Sequence, residues 1–289
     1  MLYIQSSLIV LVKMKVYIAF DMEGCTGTAI KAQMGPNSSV PSAYPRAQRM
    51  GTDDVKAAIA GVLEMDPDAE ILFNDGHGKN MNVFYEEFPE NVSAVVNSRE
   101  VYDEVFGIDD TFDALLCIGA HGPPLLADAL MCHVWNAREV KFNGKSLTET
   151  GLDASLAGYY GVPLVAISGD EASVNYIQSN IAPNMATAIV KKGVGMFSAI
   201  CINPKKTQKL IKKAVIDGLK RRHEIPPLTF SNPITVEINY PIQFNAYAAN
   251  HFMGDERVSA TKIKFVAENA KDAYFDFLSR RKLSAPRTW

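Results

Sequence analysis

The 289-residue chain has little cysteine, little net charge and no apolar run of membrane-spanning length. Its four cysteines are scattered without a Cys-x-x-Cys pair, which excludes a disulfide scaffold and is typical of reduced thiols in a cytoplasmic protein. The net charge is −3 and no long Lys/Arg run is present, so the sequence predicts no nucleic-acid partner. The Gly-x-Gly-x-x-Gly and Walker patterns are also missing, which argues against a phosphate-binding loop.

The first 13 residues contain a short apolar stretch that lacks the features of an export signal. Ser6 and Ser7 interrupt the stretch, no basic residue precedes it, and no small-x-small cleavage site follows it. It is also far too short to span a bilayer. We therefore expect residues 1–13 to be an N-terminal extension, with no membrane partner. A weak signal anchor is the alternative.

Apolar strand patterns alternate with helical patterns over much of the chain. Strands separated by helices imply a largely parallel sheet covered by helices. The predicted fold class is therefore α/β, with a mainly parallel central sheet flanked by helices and a smaller C-terminal α+β portion. The predicted strands of the main sheet are 16–20, 70–74, 92–96, 112–118 and 163–168, and the predicted helices are 46–65, 148–160 and 204–222.

Two later patterns differ from this alternation. Asn143-Gly144 lies between extended residues, which is a strong signal for an antiparallel hairpin. Near the C-terminus, alternating patterns over 234–240 and 258–265 predict half-buried strands, and 269–281 predicts a closing helix. The expected division after the N-terminal extension is an α/β domain over 14–225 and a C-terminal α+β subdomain over 226–289.

Three short turns place carboxylates or imidazoles just after apolar strand patterns. In an open α/β sheet, ligands collect beyond the carboxyl ends of the strands, so these side chains are expected to converge. Oxygen ligands mixed with imidazole nitrogens describe a zinc-type metal site better than a nucleotide site. The turns are Asp21-Met22-Glu23-Gly24, Asp75-Gly76-His77-Gly78 and Gly119-Ala120-His121-Gly122.

The candidate ligands in these turns each have a structural alternative. Asp21 and Glu23 are two residues apart, so in extended backbone both carboxylates face one locus, where a bound cation would relieve their repulsion. A solvent-exposed pair of acids in a turn is the alternative. His77 and His121 are either turn histidines, the first held by Asp75, or ligands, and their occurrence after separate strands favours ligation.

Two more residues have more than one interpretation. Glu149 fits a Ser-x-x-Glu capping box that begins at Ser146, so a structural role at a helix N-terminus is favoured from the pattern alone. His133 lies in an apolar stretch and is either a core histidine or, because it follows His121 closely in sequence, a catalytic one.

A series of motifs extends these observations along most of the chain. They are Phe20-Asp21-Met22-Glu23-Gly24, Asn74-Asp75-Gly76-His77, Gly119-Ala120-His121, Glu149-Thr150-Gly151-Leu152-Asp153, Ala157-Gly158-Tyr159-Tyr160, Val162-Pro163 and Ser168-Gly169-Asp170. With these motifs in order and at compatible spacing, the chain resembles the zinc-dependent D-aminopeptidase family from about residue 14 to about residue 281. The set is specific, although no single motif is.

The resemblance implies a di-zinc aminopeptidase, with two zinc ions per subunit. It implies short peptides or amino-acid amides as substrates, a preference for an N-terminal D-residue, and a homo-oligomeric ring that is a decamer in the family. It replaces the capping-box preference for Glu149 with a ligand role. The residues that it assigns are the metal ligands Asp21, Glu23, His77, His121 and Glu149 and the catalytic residue His133.

Two other function classes stay open from the sequence. Another two-metal hydrolase, an amidase or a phosphoesterase, would use similar ligands. A phosphoesterase would also need basic residues near the site, and the turns offer only Lys79. A non-catalytic dipeptide-binding or transport protein would need an export signal, which residues 1–13 do not convincingly supply. The ligand set describes the chemistry at the scissile bond and leaves the substrate side chain undefined.

Overall fold

The computed structural model describes residues 13–37, 39–96, 105–124 and 126–284. Most of the predicted N-terminal extension, residues 1–12, lies outside these ranges, so its role stays a prediction. Within them, no helix combines the length and apolar character needed to cross a membrane. All four cysteines are free.

The described residues form two sheets and six α-helices. The strands are β1 (Lys15–Phe20), β2 (Glu70–Asp75), β3 (Val92–Val95), β4 (Ala114–Ala120), β5 (Glu139–Phe142), β6 (Lys145–Leu147), β7 (Leu164–Asp170), β8 (Ala186–Gly195), β9 (Ser198–Cys201), β10 (Ile234–Asn239), β11 (Glu256–Arg257) and β12 (Lys262–Ala267). The helices are α1 (Ala43–Met65), α2 (Glu149–Tyr159), α3 (Glu171–Asn180), α4 (Pro204–Lys220), α5 (Gln243–Ala249) and α6 (Ala270–Ser284).

The central sheet confirms the predicted α/β class. Its strand order is β3-β2-β1-β4-β7-β8-β9, and neighbouring strands are parallel except that β9 runs antiparallel to β8. After β1 the chain builds outwards through β2 and β3, and then returns to place β4 on the other side of β1. This reversal makes the β1–β4 junction the topological switch point, where open α/β sheets bind their ligands.

Both faces of the central sheet are buried. In β1, Val16, Ile18 and Phe20 pack in one hydrophobic core with α1 and α4. Tyr17 and Ala19 point the other way, into a second core shared with α2 and the second sheet. Burial on both faces explains why this strand reads as a continuous apolar run rather than as an alternating pattern.

Helix α1 begins before the predicted residue 46. It starts at Ala43 and carries Pro45 in its first turn. A proline is tolerated there because the first N–H groups of a helix have no partner within the helix. The predicted apolar face of this helix is confirmed as buried, and consists of Val55, Ala58, Ile59 and Val62.

The second sheet is antiparallel, with the strand order β11-β12-β10-β5-β6. The predicted hairpin is confirmed as the β5–β6 turn, where Asn143 and Gly144 have φ angles of 46° and 80°. Because β5 pairs with β10, this sheet combines residues from before and after position 225. The predicted division of the chain at that position stays a prediction.

Several predicted element bounds differ from the structure. The predicted strand 258–265 is wrong at its start, because the chain turns between β11 and β12, where Val258 N–H donates to the carbonyl of Lys262 (2.9 Å). Strands β4 and β7 each run two residues beyond their predicted ends. The elements β8, β9, α3 and α5 lie in stretches for which no element was predicted.

Candidate metal centre

Three turns meet at the carboxyl ends of neighbouring strands of the central sheet. Asp21 directly follows β1, His77 lies two residues past β2, and His121 directly follows β4. Since β1 pairs with both β2 and β4, the three turns project from adjacent positions at the switch point. The structure therefore brings together side chains that are far apart in sequence.

The turn after β1 lies directly against the end of β4. Asp21 N–H donates to the carbonyl of Ile118 (2.9 Å), and Gly24 N–H donates to the carbonyl of Gly119 (2.8 Å). Gly119 has a φ of +86°, and a Cβ atom added to it would lie 1.8 Å from the carbonyl oxygen of Asp21. Only glycine fits such an approach, so this backbone contact sets where the Asp21 carboxylate lies.

The Asp21 carboxylate lies between two imidazoles. Its Oδ1 is 3.2 Å from Nδ1 of His77, and its Oδ2 is 3.0 Å from Nε2 of His121. Glu23 adds a second carboxylate, whose Oε2 is 2.9 Å from the same nitrogen of His77. Glu23 and His121 are buried and the other two are mostly buried, so the four side chains form one enclosed cluster.

Glu149 joins this cluster from the first turn of α2. Its Oε2 is 3.4 Å from Nε2 of His121, and its Oε1 is 3.7 Å from Nε2 of His133. The rings of His121 and His133 stack, with centroids 4.3 Å apart and planes inclined by 16°. All six candidate site residues thus lie together, with His133 on the more open side of the cluster.

The predicted capping box at the start of α2 is wrong. The N-cap is Thr148, whose Oγ1 accepts a hydrogen bond from Gly151 N–H (2.9 Å). Glu149 is the first helical residue, and its Oε1 accepts from the main-chain N–H of Trp135. Because Thr148 rather than Ser146 caps the helix, the Glu149 carboxylate is available to the histidines.

Each histidine of the cluster contacts a main-chain carbonyl on the side away from the carboxylates. The distances are 3.1 Å from His77 Nε2 to Met34, 3.1 Å from His121 Nδ1 to Gly122, and 2.7 Å from His133 Nδ1 to Met131. A carbonyl only accepts, so each of these nitrogens carries a proton. The opposite nitrogen then holds the lone pair of the neutral ring, as in histidines that ligate metals.

The donor set fits a divalent metal of the zinc type. Two groups have ligand atoms within 4.8 Å of one another: Asp21, Glu23 and His121, and His121, His133 and Glu149. Glu23 Oε2 and His121 Nε2 are buried and make no hydrogen bond of acceptable angle within the described part of the chain. Buried polar atoms normally have a partner, and an ion held by these atoms would supply one.

Comparison with known proteins places the chain in a family. The family profile described as Peptidase_M55, D-aminopeptidase, matches residues 14–278. The chain belongs to the D-aminopeptidase family. It is therefore a peptidase, an enzyme of the hydrolase class.

A sequence match and a solved structure each align with nearly the whole of this D-aminopeptidase family member. A D-aminopeptidase of Bacillus subtilis (strain 168) is 27% identical over 279 residues, which cover 94% of this chain and 98% of the relative. A solved structure is described as the Zn-dependent D-aminopeptidase DppA from Bacillus subtilis, a self-compartmentalizing protease. It superposes with a TM-score of 0.89 at 26% identity, over 96% of this chain and 100% of the solved chain.

The charges of the cluster move the pKa values of its groups in opposite directions. Burial alone would raise the pKa of Asp21, but the positive charge of His121 beside it and the hydrogen bond of His77 hold it well below its usual range. Burial would lower the pKa of both imidazoles, but the carboxylates beside them raise both values well above the usual range. Without metal, the protonated imidazoles of His77 and His121 therefore pair with the ionised carboxylate of Asp21 at neutral pH.

Binding of a divalent metal such as zinc to this cluster is expected to release protons. A metal needs the lone pair of the ring nitrogen that faces the carboxylates, and in the metal-free protein the raised pKa values of His77 and His121 keep that nitrogen protonated. The apparent zinc affinity should rise with pH until the pH passes those raised pKa values. Calorimetric titrations at pH 7 in buffers of different ionisation enthalpy measure this release, and equal heats in all buffers would contradict it.

Asp75 of the family member supports the turn that carries His77. Its carboxylate accepts hydrogen bonds from the main-chain N–H of Asn82 (2.6 Å) and from the side chain of Asn82 (2.9 Å). It also accepts from the N–H of His77 (3.2 Å). Asp75 therefore shapes the turn, while the imidazole of His77 faces Asp21 and Glu23.

Trp135 is a supporting residue that sequence reasoning missed. Its main-chain N–H reaches Glu149, and its ring stacks on Phe277 of α6, with centroids 5.3 Å apart. Trp135 and Met131 both have left-handed backbone, with φ angles of 46° and 45°, on either side of His133. Helix α6 thus packs against the loop that carries His133, the least buried histidine of the cluster.

Proposed function

We propose that this family member is a di-zinc aminopeptidase that removes the N-terminal residue of short peptides or amino-acid amides, with a preference for D-residues. The observation that carries the proposal is the cluster itself, in which each histidine is fixed through one ring nitrogen and presents the other to a carboxylate. The likeness to a D-aminopeptidase in sequence, and to a solved structure described as a Zn-dependent D-aminopeptidase, supports the choice of metal and substrate.

Asp21 is the proposed shared ligand of two ions. One of its oxygens faces His77 and the other faces His121, so Asp21 would help to hold one ion together with His77 and the other together with His121. Glu23 would serve the first ion and Glu149 the second. Three carboxylates against two divalent ions leave a net positive charge, which suits a developing oxyanion. Zinc bound there supplies polarisation of the substrate carbonyl and a lowered pKa for water.

His133 is the proposed general acid/base. Its side chain is 38% exposed, so a substrate can reach it. Its Nδ1 donates to the carbonyl of Met131, which leaves Nε2 as the nitrogen that accepts a proton from the attacking water and passes it to the leaving amine. We favour this role over nucleophilic attack by His133, because the metal centre already provides for an activated water.

Replacing His133 by glutamine is expected to lower kcat by about 10²-fold while the zinc content stays unchanged, because proton transfer is lost and the ligands are kept. The measurement is kcat and bound zinc in the same sample. His223→Gln is the matched control, since His223 is exposed and lies outside the cluster. A kcat near the wild-type value in the His133 variant would contradict the assigned role.

We also propose that the chain works as a homo-oligomer. The solved relative is described as self-compartmentalizing. In this chain, the region around α5 exposes large apolar side chains, among them Ile242, Tyr247 and Met253, and clustered apolar surface is characteristic of subunit contacts. Sedimentation velocity should show a species larger than the monomer. The ring of ten subunits and the cytoplasmic location stay predictions.

Release assays test the proposed activity against the alternatives. Zinc content is measured together with the release rates from D- and L-aminoacyl amides, a dipeptide and a phosphate monoester. Faster release from D-substrates supports the proposal, whereas faster release from L-substrates would correct the stereochemistry alone. Turnover of the phosphate ester without amide hydrolysis would favour a phosphoesterase. Tight dipeptide binding without turnover would favour a binding or transport protein.

A further inference from the structure

Lys191 is a fully buried lysine in the central sheet. It lies in β8 with 0% of its surface exposed. The next residue, Lys192, is the ordinary case, since its side chain is 62% exposed and pairs with Glu171 at 3.3 Å. Burying an ammonium group is unfavourable unless its charge and all its protons are satisfied, so the surroundings of Lys191 must supply strong acceptors.

The acceptors of Lys191 all belong to one short segment, residues 23–28. Its Nζ donates to the carbonyl oxygens of Glu23 (2.5 Å), Cys25 (2.7 Å) and Thr28 (2.6 Å), and lies 2.8 Å from Oγ1 of Thr28. Three ammonium protons thus serve four oxygens. Within the described ranges, Lys191 forms no ion pair with a carboxylate.

This segment begins at Glu23, one of the proposed ligands, and lies two residues after another, Asp21. Its carbonyl oxygens point inwards to one position, an arrangement that is unfavourable without a cation because the negative ends of the dipoles repel. Glu23 is held at both ends, with its carbonyl on Lys191 and its carboxylate Oε2 2.9 Å from Nδ1 of His77. The backbone orientation at Glu23 therefore determines where its carboxylate points.

We propose that Lys191 is a positioning residue of the metal centre, whose ammonium group holds segment 23–28 in the conformation that directs the carboxylate of Glu23 at His77. This inference rests on the proposed metal-dependent function. The ammonium group lies among four oxygens of the segment and acts on the metal only through Glu23.

A second anchor holds the middle of the same segment from outside. Asp54 of α1 accepts from the N–H and the Oγ1 of Thr26, both at 2.7 Å, and Thr26 Oγ1 also lies 2.9 Å from Oγ1 of Thr207 in α4. These contacts involve Thr26 alone, whereas Lys191 contacts both ends of the segment. Loss of Lys191 therefore leaves the segment attached to the fold, through Thr26 and through the hydrogen bond from Gly24 N–H to Gly119, but removes the charged donor from the carbonyl of Glu23.

The test compares Lys191→Met with Lys192→Met, which removes the neighbouring exposed lysine of the same strand. Zinc affinity is measured by competition with a chelator, and the visible absorption spectrum is recorded after loading with Co²⁺. The rise in Tm on adding zinc is measured as well. We expect Lys191→Met to lose at least about tenfold in zinc affinity, the size of effect seen when groups that orient ligands are removed. Its Co²⁺ spectrum should change, and Lys192→Met should match the wild type.

The outcomes separate positioning from a purely structural role. A structural role alone lowers Tm equally with and without zinc and leaves the affinity and the Co²⁺ spectrum unchanged, which would overturn the inference. If Lys191→Met does not fold, the same measurements on Thr28→Val, which removes one of the four acceptors, decide the question by the same criteria. If the wild-type protein binds no zinc, the proposed function fails and this inference fails with it.

Discussion

Replacing Asp21 by asparagine is expected to lower the aminopeptidase activity of the zinc-supplemented protein by at least about 10³-fold. An asparagine keeps the shape of the side chain but loses the charge, and its NH₂ group cannot ligate a metal. The two oxygens of Asp21 face His77 and His121, so the substitution affects both proposed ions. Metal polarisation is worth several kcal/mol, and each ~1.4 kcal/mol changes a rate tenfold.

Metal analysis of the dialysed Asp21 variant accompanies the rate measurement, and we expect fewer than two bound zinc ions per chain. Asp68→Asn is the matched control, since Asp68 is exposed and precedes β2, at the opposite edge of the sheet from the centre. Full activity in a zinc-free Asp21 variant would exclude the proposed metal chemistry. Reduced activity in both variants would instead point to a general loss of stability.

Replacing Gly119 by alanine is expected to destabilise the protein by about 4 kcal/mol or more, in the range that marks severe backbone conflicts. The added Cβ would lie 1.8 Å from the carbonyl oxygen of Asp21 and 2.7 Å from Sγ of Cys25. The first of these neighbours is backbone, which can move only by breaking the hydrogen bonds between the turn after β1 and the end of β4. The measurement is the free energy of unfolding in urea.

Gly161→Ala separates steric conflict from backbone strain in this experiment. Gly161 has a similar φ of +80°, but a Cβ added there would meet no atom within 4 Å. That control should cost only about 1–2 kcal/mol, the ordinary penalty of left-handed backbone for alanine. If the two variants were equally stable, the close approach at Gly119 would not contribute to the loss of stability.

The turns of the centre could be predicted because their chemistry contrasts with the strands that precede them. Asp21, His77 and His121 each follow an apolar run, and a parallel sheet aligns the carboxyl ends of its strands. The sequence therefore indicated both the edge of the sheet and the kind of ligand. The missing information was strand order, which decides that β1 lies between β2 and β4.

The remaining parts of the site could not be derived from side-chain pattern. Glu149 follows a hairpin, and the local sequence does not show where that hairpin lies relative to the central sheet. The sequence around Glu149 also matched a capping box, whereas the helix is capped by Thr148. Lys191 binds mainly main-chain carbonyls. Every residue has such a carbonyl, so the sequence does not show which residues Lys191 contacts. Trp135 likewise acts through its main-chain N–H, so its residue type does not reveal the contact with Glu149.

The position of β1 between β2 and β4 has a consequence for the order of events during synthesis. Asp21 and His121 come together only when β4 docks beside β1, after a long intervening loop has closed, and such distant contacts form late in folding. Glu149 is translated later still. A nascent or partly folded chain therefore has no assembled hydrolytic centre, so the enzyme gains its activity only once its own main sheet is complete.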